Sequence, residues 1–165
     1  LLCYVTIDSD RESTAYESLD LELLINEVWK SQSGTDALEL TLELQHPPLN
    51  APRKHIVLIL KHLIANAVVH HDKKAGCVRV TLSHTKRTSS VCIQDDGPGI
   101  DPQYRQEALR LFSTLKKRDE KEGSGMGLPI VNKIVSSLGG KLNFGLGLHG
   151  RGSSISISIP RCSTH

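Results

Sequence analysis

Aromatic side chains are scarce in this 165-residue chain: one Trp, three Tyr and two Phe make up 4% of it. So thin a supply argues against a stacking platform for bases or sugars. The four cysteines, Cys3, Cys77, Cys92 and Cys162, form no Cys-x-x-Cys pair. That scatter fits the reduced thiols of a cytoplasmic protein better than a disulfide framework. No apolar run approaches the ~18 residues of a membrane span; the longest, 56–60, is broken by Lys61 and His62. Twenty Lys and Arg against eighteen Asp and Glu leave a net charge of +2, too little to hold nucleic acid or an anionic membrane by charge alone. There is no internal repeat. Leu1-Leu2-Cys3-Tyr4 includes neither a Met nor a basic leader, so a signal peptide is not expected and the chain reads as a piece of a longer protein.

What remains is an aliphatic globular domain, 38% hydrophobic and 23% charged, in the range that folds around one core. Asp20 stands before Leu21, Leu24, Ile25 and Val28, an N-cap ahead of helical apolar spacing. The stretch 37–45 alternates Leu38, Leu40, Leu42 and Leu44 with Glu39, Thr41 and Glu43, the period of a strand with one wet face. Prolines punctuate 47–52, and a long helix is predicted over 53–71. Strands follow at 77–84 and 89–94 around a polar turn. A short helical stretch at 103–112 leads into a charged run at 116–122. A glycine-rich stretch then opens a helix to about Leu138, which Gly139-Gly140 ends. Strands at 141–145 and 153–159 complete an expected α/β (α+β) two-layer sandwich, with helices on one face of a mixed, mostly antiparallel sheet.

Three stretches go beyond fold-building. The helix around Asn66 is apolar almost all round, so it should be buried. Yet His62, Asn66 and His70 form a polar stripe at i, i+4, i+8. Alone, that stripe reads as a solvent-facing or loop-bonding side; its functional alternative is an Asn66 carbonyl offered to a hard cation such as Mg²⁺. Asp95-Asp96-Gly97-Pro98-Gly99 follows a strand. Alone it is ordinary turn chemistry. Its functional alternative is a carboxylate on a pocket floor that accepts an exocyclic amine such as adenine N6 and repels the oxygen that guanine carries there. Gly123-Ser124-Gly125-Met126-Gly127-Leu128 precedes a helix, where backbone N–H groups can meet phosphate oxygens. It follows no strand and lacks Gly-Lys-Ser/Thr, so dinucleotide and P-loop folds are poor matches.

Taken together, the three stretches resemble the ATP-binding domain shared by sensor histidine kinases, type II topoisomerases, Hsp90 chaperones and mismatch-repair ATPases, the GHKL superfamily with its Bergerat fold. The resemblance covers about 19–160. Its N box matches His62-Leu-Ile-Ala-Asn66-Ala, its G1 box Asp95-x-Gly97-x-Gly99, and its G2 box Gly123-x-Gly125-x-Gly127-Leu128. It implies that Asn66 ligates Mg²⁺, that Asp95 binds the adenine amine, and that Gly97, Gly99 and Ile100 line the base. Gly123, Gly125, Met126, Gly127 and Leu128 would surround the triphosphate of ATP. A lid over about 105–123 would carry Phe112 as its apolar anchor, with Lys116 or Lys117 closing onto the γ-phosphate; otherwise that run is a solvated loop. Ser153 shares strand parity with Ile155, Ile157 and Ile159 and is expected inward beside Asp95, where it would bond an adenine-bound water or simply fill the strand. Ser154, Ser156 and Ser158 are expected outward.

The departures from the family pattern are informative. Topoisomerase-type and chaperone-type members carry Glu where this chain has His62, which favours phosphoryl transfer over hydrolysis. The phosphate-binding cation expected at Val69 is missing, leaving that part to His70 or the lid. No His here has an acceptor context, so the phosphoacceptor is expected upstream. The implied organisation is the end of a dimerisation hairpin and linker at 1–16, a catalytic ATP-binding domain at 17–162 and a tail at 163–165. The implied protein is a cytoplasmic sensor histidine kinase domain working with its own dimerisation hairpin and a response-regulator receiver domain. Neither nucleic acid nor direct membrane contact is expected; the fragment should be a monomer and the full protein a dimer. The alternatives are a serine kinase of the anti-sigma type, a nucleotide-switched binding module without transfer, and a metal site of His70, His71, Asp72 and Cys77, whose spacing fits no zinc pattern.

Overall fold

The computed structural model describes residues 15–69, 75–98, 127–148 and 151–161. In order these form β1 (Tyr16–Leu19), α1 (Leu21–Ser31), β2 (Leu38–Leu44), β3 (Leu49–Pro52), α2 (Arg53–Val69), β4 (Gly76–His84), β5 (Thr88–Asp95), α3 (Gly127–Ser137), β6 (Lys141–Leu146) and β7 (Ser153–Pro160). The main sheet has five strands in the order β2-β4-β5-β7-β6. Its β2–β4 pair is parallel and the other pairs antiparallel. β1 and β3 pair separately as a two-stranded ribbon. The α+β sandwich expected from the sequence is therefore present. The ribbon is an addition, since two four-residue strands are too short to show a period.

Local chemistry explains the elements. Asp20 caps α1 with a carboxylate that accepts the Leu23 N–H at 3.1 Å. α1 buries Leu21, Leu24, Ile25 and Val28 and leaves its other side wet. α2 lies between α1 and α3 and also packs on β5, which is why it is apolar nearly all round. It buries Ile56, Ile59, Leu60, Leu63, Ile64, Ala67 and Val68. Val78, Val80, Leu82, Val91, Ile93, Ile155 and Ile157 face these helices from the sheet. α3 ends in a Schellman motif: Gly140 N–H donates to Val135 O at 2.9 Å and Gly139 N–H to Ser136 O at 3.0 Å, with Gly139 at φ +75°.

The opposite sheet face is polar, with serines on β5 and β7 and charged side chains such as Arg79 and Glu43, paired at 3.7 Å, toward the β2 edge. Ser90 and Ser158 share a hydroxyl hydrogen bond of 2.9 Å across β5 and β7. Ser154 points to this face, as the alternation demands, yet is only 8% exposed because strands crowd it on both sides, Gln94 and Gly145 being its register partners. His84 ties the 45–48 connection to the sheet. Its Nε2 donates to Pro47 O at 2.7 Å, since a carbonyl can only accept, and its Nδ1 shares a proton with Ser89 Oγ at 2.8 Å.

The core of α2 sets the stability of this layer. Ile64→Ala should destabilise the domain by about 2–5 kcal/mol, whereas Asn143→Ala on the wet face should change stability by less than about 0.5 kcal/mol. Urea unfolding followed by far-ultraviolet circular dichroism measures both.

Candidate functional site

β5 is the central strand of the sheet, and its last residue is Asp95. Alternation places Asp95 on the face that carries Ser89, Val91 and Ile93, toward the helices, where it is 7% exposed. A buried carboxylate requires partners, and here main chain and hydroxyl supply them. Oδ1 accepts the Gly97 N–H at 2.9 Å and the Ser153 N–H at 3.4 Å. Oδ2 accepts the Ser153 hydroxyl at 3.2 Å, its one hydrogen bond among the described residues. An ionised carboxylate offers about four lone-pair directions, more than these three bonds use.

Ser153 is buried beside Asp95 in line with its parity with Ile155, Ile157 and Ile159. The sequence does not reveal that its hydroxyl is spent on the carboxylate itself. Asp96, also buried, turns the other way: its Oδ1 accepts the Cys77 N–H at 3.0 Å and ties the loop to the start of β4. Burial and the adjacent Asp96 carboxylate push the Cys77 thiol up, leaving it a poor nucleophile near neutral pH.

Three observations locate the other stretches relative to Asp95. Val68 Cγ1 stands 3.5 Å from where a Cβ on Gly34 would be, and Gly34 lies just before β2. β2 starts level with Gly76, and Val78 is the register partner of Asp95. The last turns of α2, with Asn66, are therefore at the Asp95 end of the sheet. Gly139 and Gly140, after α3, contact Pro160 and Ser158 at the far end of β7. An 11-residue α3 spans about 16 Å, which puts its first residues, Gly127 and Leu128, back at the Asp95 end.

Each feature has a distinct chemical capacity. Asn66 is half-buried, and its amide carbonyl oxygen is of the type that ligates a hard cation. The N-terminus of α3 carries unpaired N–H groups and the positive end of its dipole. Pro129 removes one donor from that turn, leaving the amides of Gly127 and Leu128. Gly97 is buried beside Asp95. Gly99, Ile100, Phe112, Lys116, Lys117, Gly123, Gly125 and Met126 lie outside the described residues, as do His70, His71 and Asp72. Among the described residues no group of His, Cys, Asp and Glu has the arrangement of a metal site, and no helix is long and apolar enough to cross a membrane.

Two glycines of the 147–152 connection bear on Asp95 and escape the sequence reading. Backbone at Gly147 and Gly152 lies against the Asp95 main chain closely enough that a Cβ at either would collide with it. A separate cleft of about 460 Å³, lined by Leu19, Asp20, Leu44, His46 and Leu82 among others, sits four residues farther along β4 from Val78 and contains none of these residues.

His62, one turn before Asn66, is half-buried, and burial together with the neighbouring Lys61 charge lowers its pKa below the usual 6.5. The folded protein thus keeps His62 neutral where the unfolded chain takes up a proton, so stability is full above about pH 6.5 and falls as the pH drops below it. His62→Gln should flatten the fall in melting temperature between about pH 7.5 and 5.5; a variant profile parallel to the wild type would contradict this.

Known proteins share this fold. The family described as histidine kinase-, DNA gyrase B- and HSP90-like ATPase matches residues 51–163. The chain is 26% identical over 164 residues to sensor protein kinase PmrB of Pseudomonas aeruginosa, covering 98% of this chain and 34% of that protein. It is 31% identical over 137 residues to the adaptive-response sensory kinase SasA of Rippkaea orientalis, covering 82% and 34%. The chain thus spans about a third of the length of these relatives. Among solved structures it resembles the mycobacterial sensor histidine kinase MprB, with a TM-score of 0.74 at 23% identity, covering 88% of this chain and 97% of that one. It also resembles full-length ShkA in complex with AMPPNP, with a TM-score of 0.80 at 22% identity, covering 99% and 35%. With the family match extending over most of its length, from before α2 to beyond β7, the chain belongs to the histidine kinase-, DNA gyrase B- and HSP90-like ATPases.

Proposed function

We propose that this chain is the ATP-binding catalytic domain of a sensor histidine kinase, presenting the γ-phosphate of Mg·ATP to a histidine on a dimerisation hairpin. From there the phosphoryl group would pass to an aspartate of a response-regulator receiver domain. The observation that supports the reading is the Asp95 carboxylate: buried on the central strand, on the face toward the helices, and held by three donors among the described residues. An acceptor so placed suits the amine of adenine and opposes the oxygen of guanine.

The remaining roles follow from the same end of the sheet. The Asn66 oxygen would hold Mg²⁺, whose charge, when bound, offsets that of the phosphates. The amides of Gly127 and Leu128 would receive phosphate oxygens at the α3 N-terminus, with Gly97 against the base. Gly99, Ile100, Phe112, Gly123, Gly125 and Met126 would complete the enclosure. Lys116, Lys117 and His70 would supply the cations that Val69 does not. Ser153 would set the direction of Asp95, with any contact to an adenine-bound water being secondary. Phosphoryl transfer needs positioning and charge neutralisation more than a nucleophile on this domain, and a neutral His62 in place of a Glu is a poor activator of water. The matched sensor kinases favour this reading over a serine kinase or a switch without transfer.

Titration with ATP and GTP tests the assignment. ATP should bind in a Mg²⁺-dependent manner and GTP should fail to compete. Asp95→Asn should weaken ATP by on the order of 2–4 kcal/mol. Asn66→Asp should abolish Mg²⁺-dependent ATP binding; ATP affinity indifferent to Mg²⁺ in the wild type would remove the cation role. The parent protein should autophosphorylate on an acid-labile histidine, and this chain alone should not.

A further inference from the structure

The proposed base discrimination depends on how accurately Asp95 is aimed, and Gly147 and Leu148 after β6, with Gly152 and Ser153 at the start of β7, lie against it. Leu148 N–H donates to the Asp95 carbonyl at 3.0 Å. Gly147 lies so close that a Cβ there would enter both that carbonyl oxygen and the Arg151 carbonyl. Gly152, at φ +82°, lies against the same carbonyl, and a Cβ on it would stand 2.9 Å from Asp95 Oδ1. The next residue, Ser153, contributes the amide and hydroxyl bonds to the two carboxylate oxygens.

Packing and hydrogen bonding thus restrain different freedoms. The Gly97 and Ser153 amides hold Oδ1 in place. The bare backbone of Gly152 backs that oxygen, and Gly147 allows the connection to close on the main chain from which the side chain springs. Only a residue without Cβ permits either approach, and only glycine adopts the Gly152 conformation without strain.

We propose that Gly147 and Gly152 are specificity-determining positioning residues: their backbone seats Asp95 so that Oδ2 meets a 6-amino purine and excludes a 6-oxo purine. The inference rests on the nucleotide-binding reading above. Hydrogen bonds weaken steeply as their angle departs from linearity. A carboxylate pushed off its seat loses the adenine amine and comes within reach of the N1–H of guanine, the donor beside the repelling oxygen. Displacement therefore lowers affinity for one base and raises tolerance of the other, which a merely looser fold would not do.

The experiment measures the dissociation constants of Mg·ATP and Mg·GTP for the full chain and for Gly147→Ala and Gly152→Ala, with melting temperatures to establish folding. The expected result is at least a tenfold collapse of the GTP-to-ATP ratio in either folded variant. A ratio held within about twofold of the wild type, or an equal loss for both nucleotides, overturns the proposal. Should neither variant fold, amide spectra of the unsubstituted protein decide: the Leu148 and Gly152 signals must shift with ATP and stay in place with GTP, and signals unmoved by ATP overturn it. A wild-type chain that binds no ATP, or binds both nucleotides equally, defeats the nucleotide-binding reading itself.

Discussion

A negative charge taken out of water at the end of the central strand has to be compensated where it stands. Asp95 is 7% exposed, and leaving such a carboxylate unpaired would cost several kcal/mol or force it to take a proton. The fold answers with two amides and one hydroxyl, drawn from the loop that follows β5 and from the start of β7. Two segments 58 residues apart in sequence are thereby brought together around one side chain. Because these donors come largely from main chain, the demand falls on backbone placement. That explains why glycines cluster here: they are needed where another backbone, rather than another side chain, must come close.

The layers around this charge divide the work of stability and of access. An aliphatic core runs through α1, α2, α3 and the inward sheet face, and it needs no aromatic bulk because α2 is covered on three sides. The outward face carries hydroxyl and charged side chains, some of them paired across strands, as Ser90 with Ser158 and Arg79 with Glu43. The candidate site lies where helix termini meet the sheet: the late turns of α2, the first turn of α3 and the end of β5. Helix termini have unpaired backbone groups and sheet ends have loops, so polar chemistry concentrates there without disturbing the core.

Position 62 has a definite chemical character. An imidazole held neutral by burial and by Lys61 can accept a hydrogen bond, but it lacks the full negative charge with which a carboxylate orients and deprotonates water. That character accords with the proposed transfer of the phosphoryl group to a partner rather than to water. Asp96 complements this arrangement structurally: by taking the Cys77 amide it anchors the loop after β5 to a second strand, so that Asp95 and Asp96 brace the same turn from opposite sides.

Much of this was legible in the order of residues. Asp20 before an apolar period announced a capped helix, the Leu/Glu alternation of 38–44 a strand with one wet face, Gly139-Gly140 a helix end, and the parity of Ser153 with three isoleucines an inward hydroxyl. Each depends on neighbours within a few residues, where period and propensity act directly. Of the residues that the three motifs put forward, Asn66, Asp95, Gly97, Gly127 and Leu128 fall among the described residues, at one end of the sheet. What the order could not contain was the β1–β3 ribbon, the parallel pairing of β2 with β4, the tie of Asp96 to Cys77, and the closure of Gly147 and Gly152 on Asp95. Those contacts join segments distant in the chain through main-chain atoms, which are the same in every residue and leave no pattern in the sequence until folding brings them together.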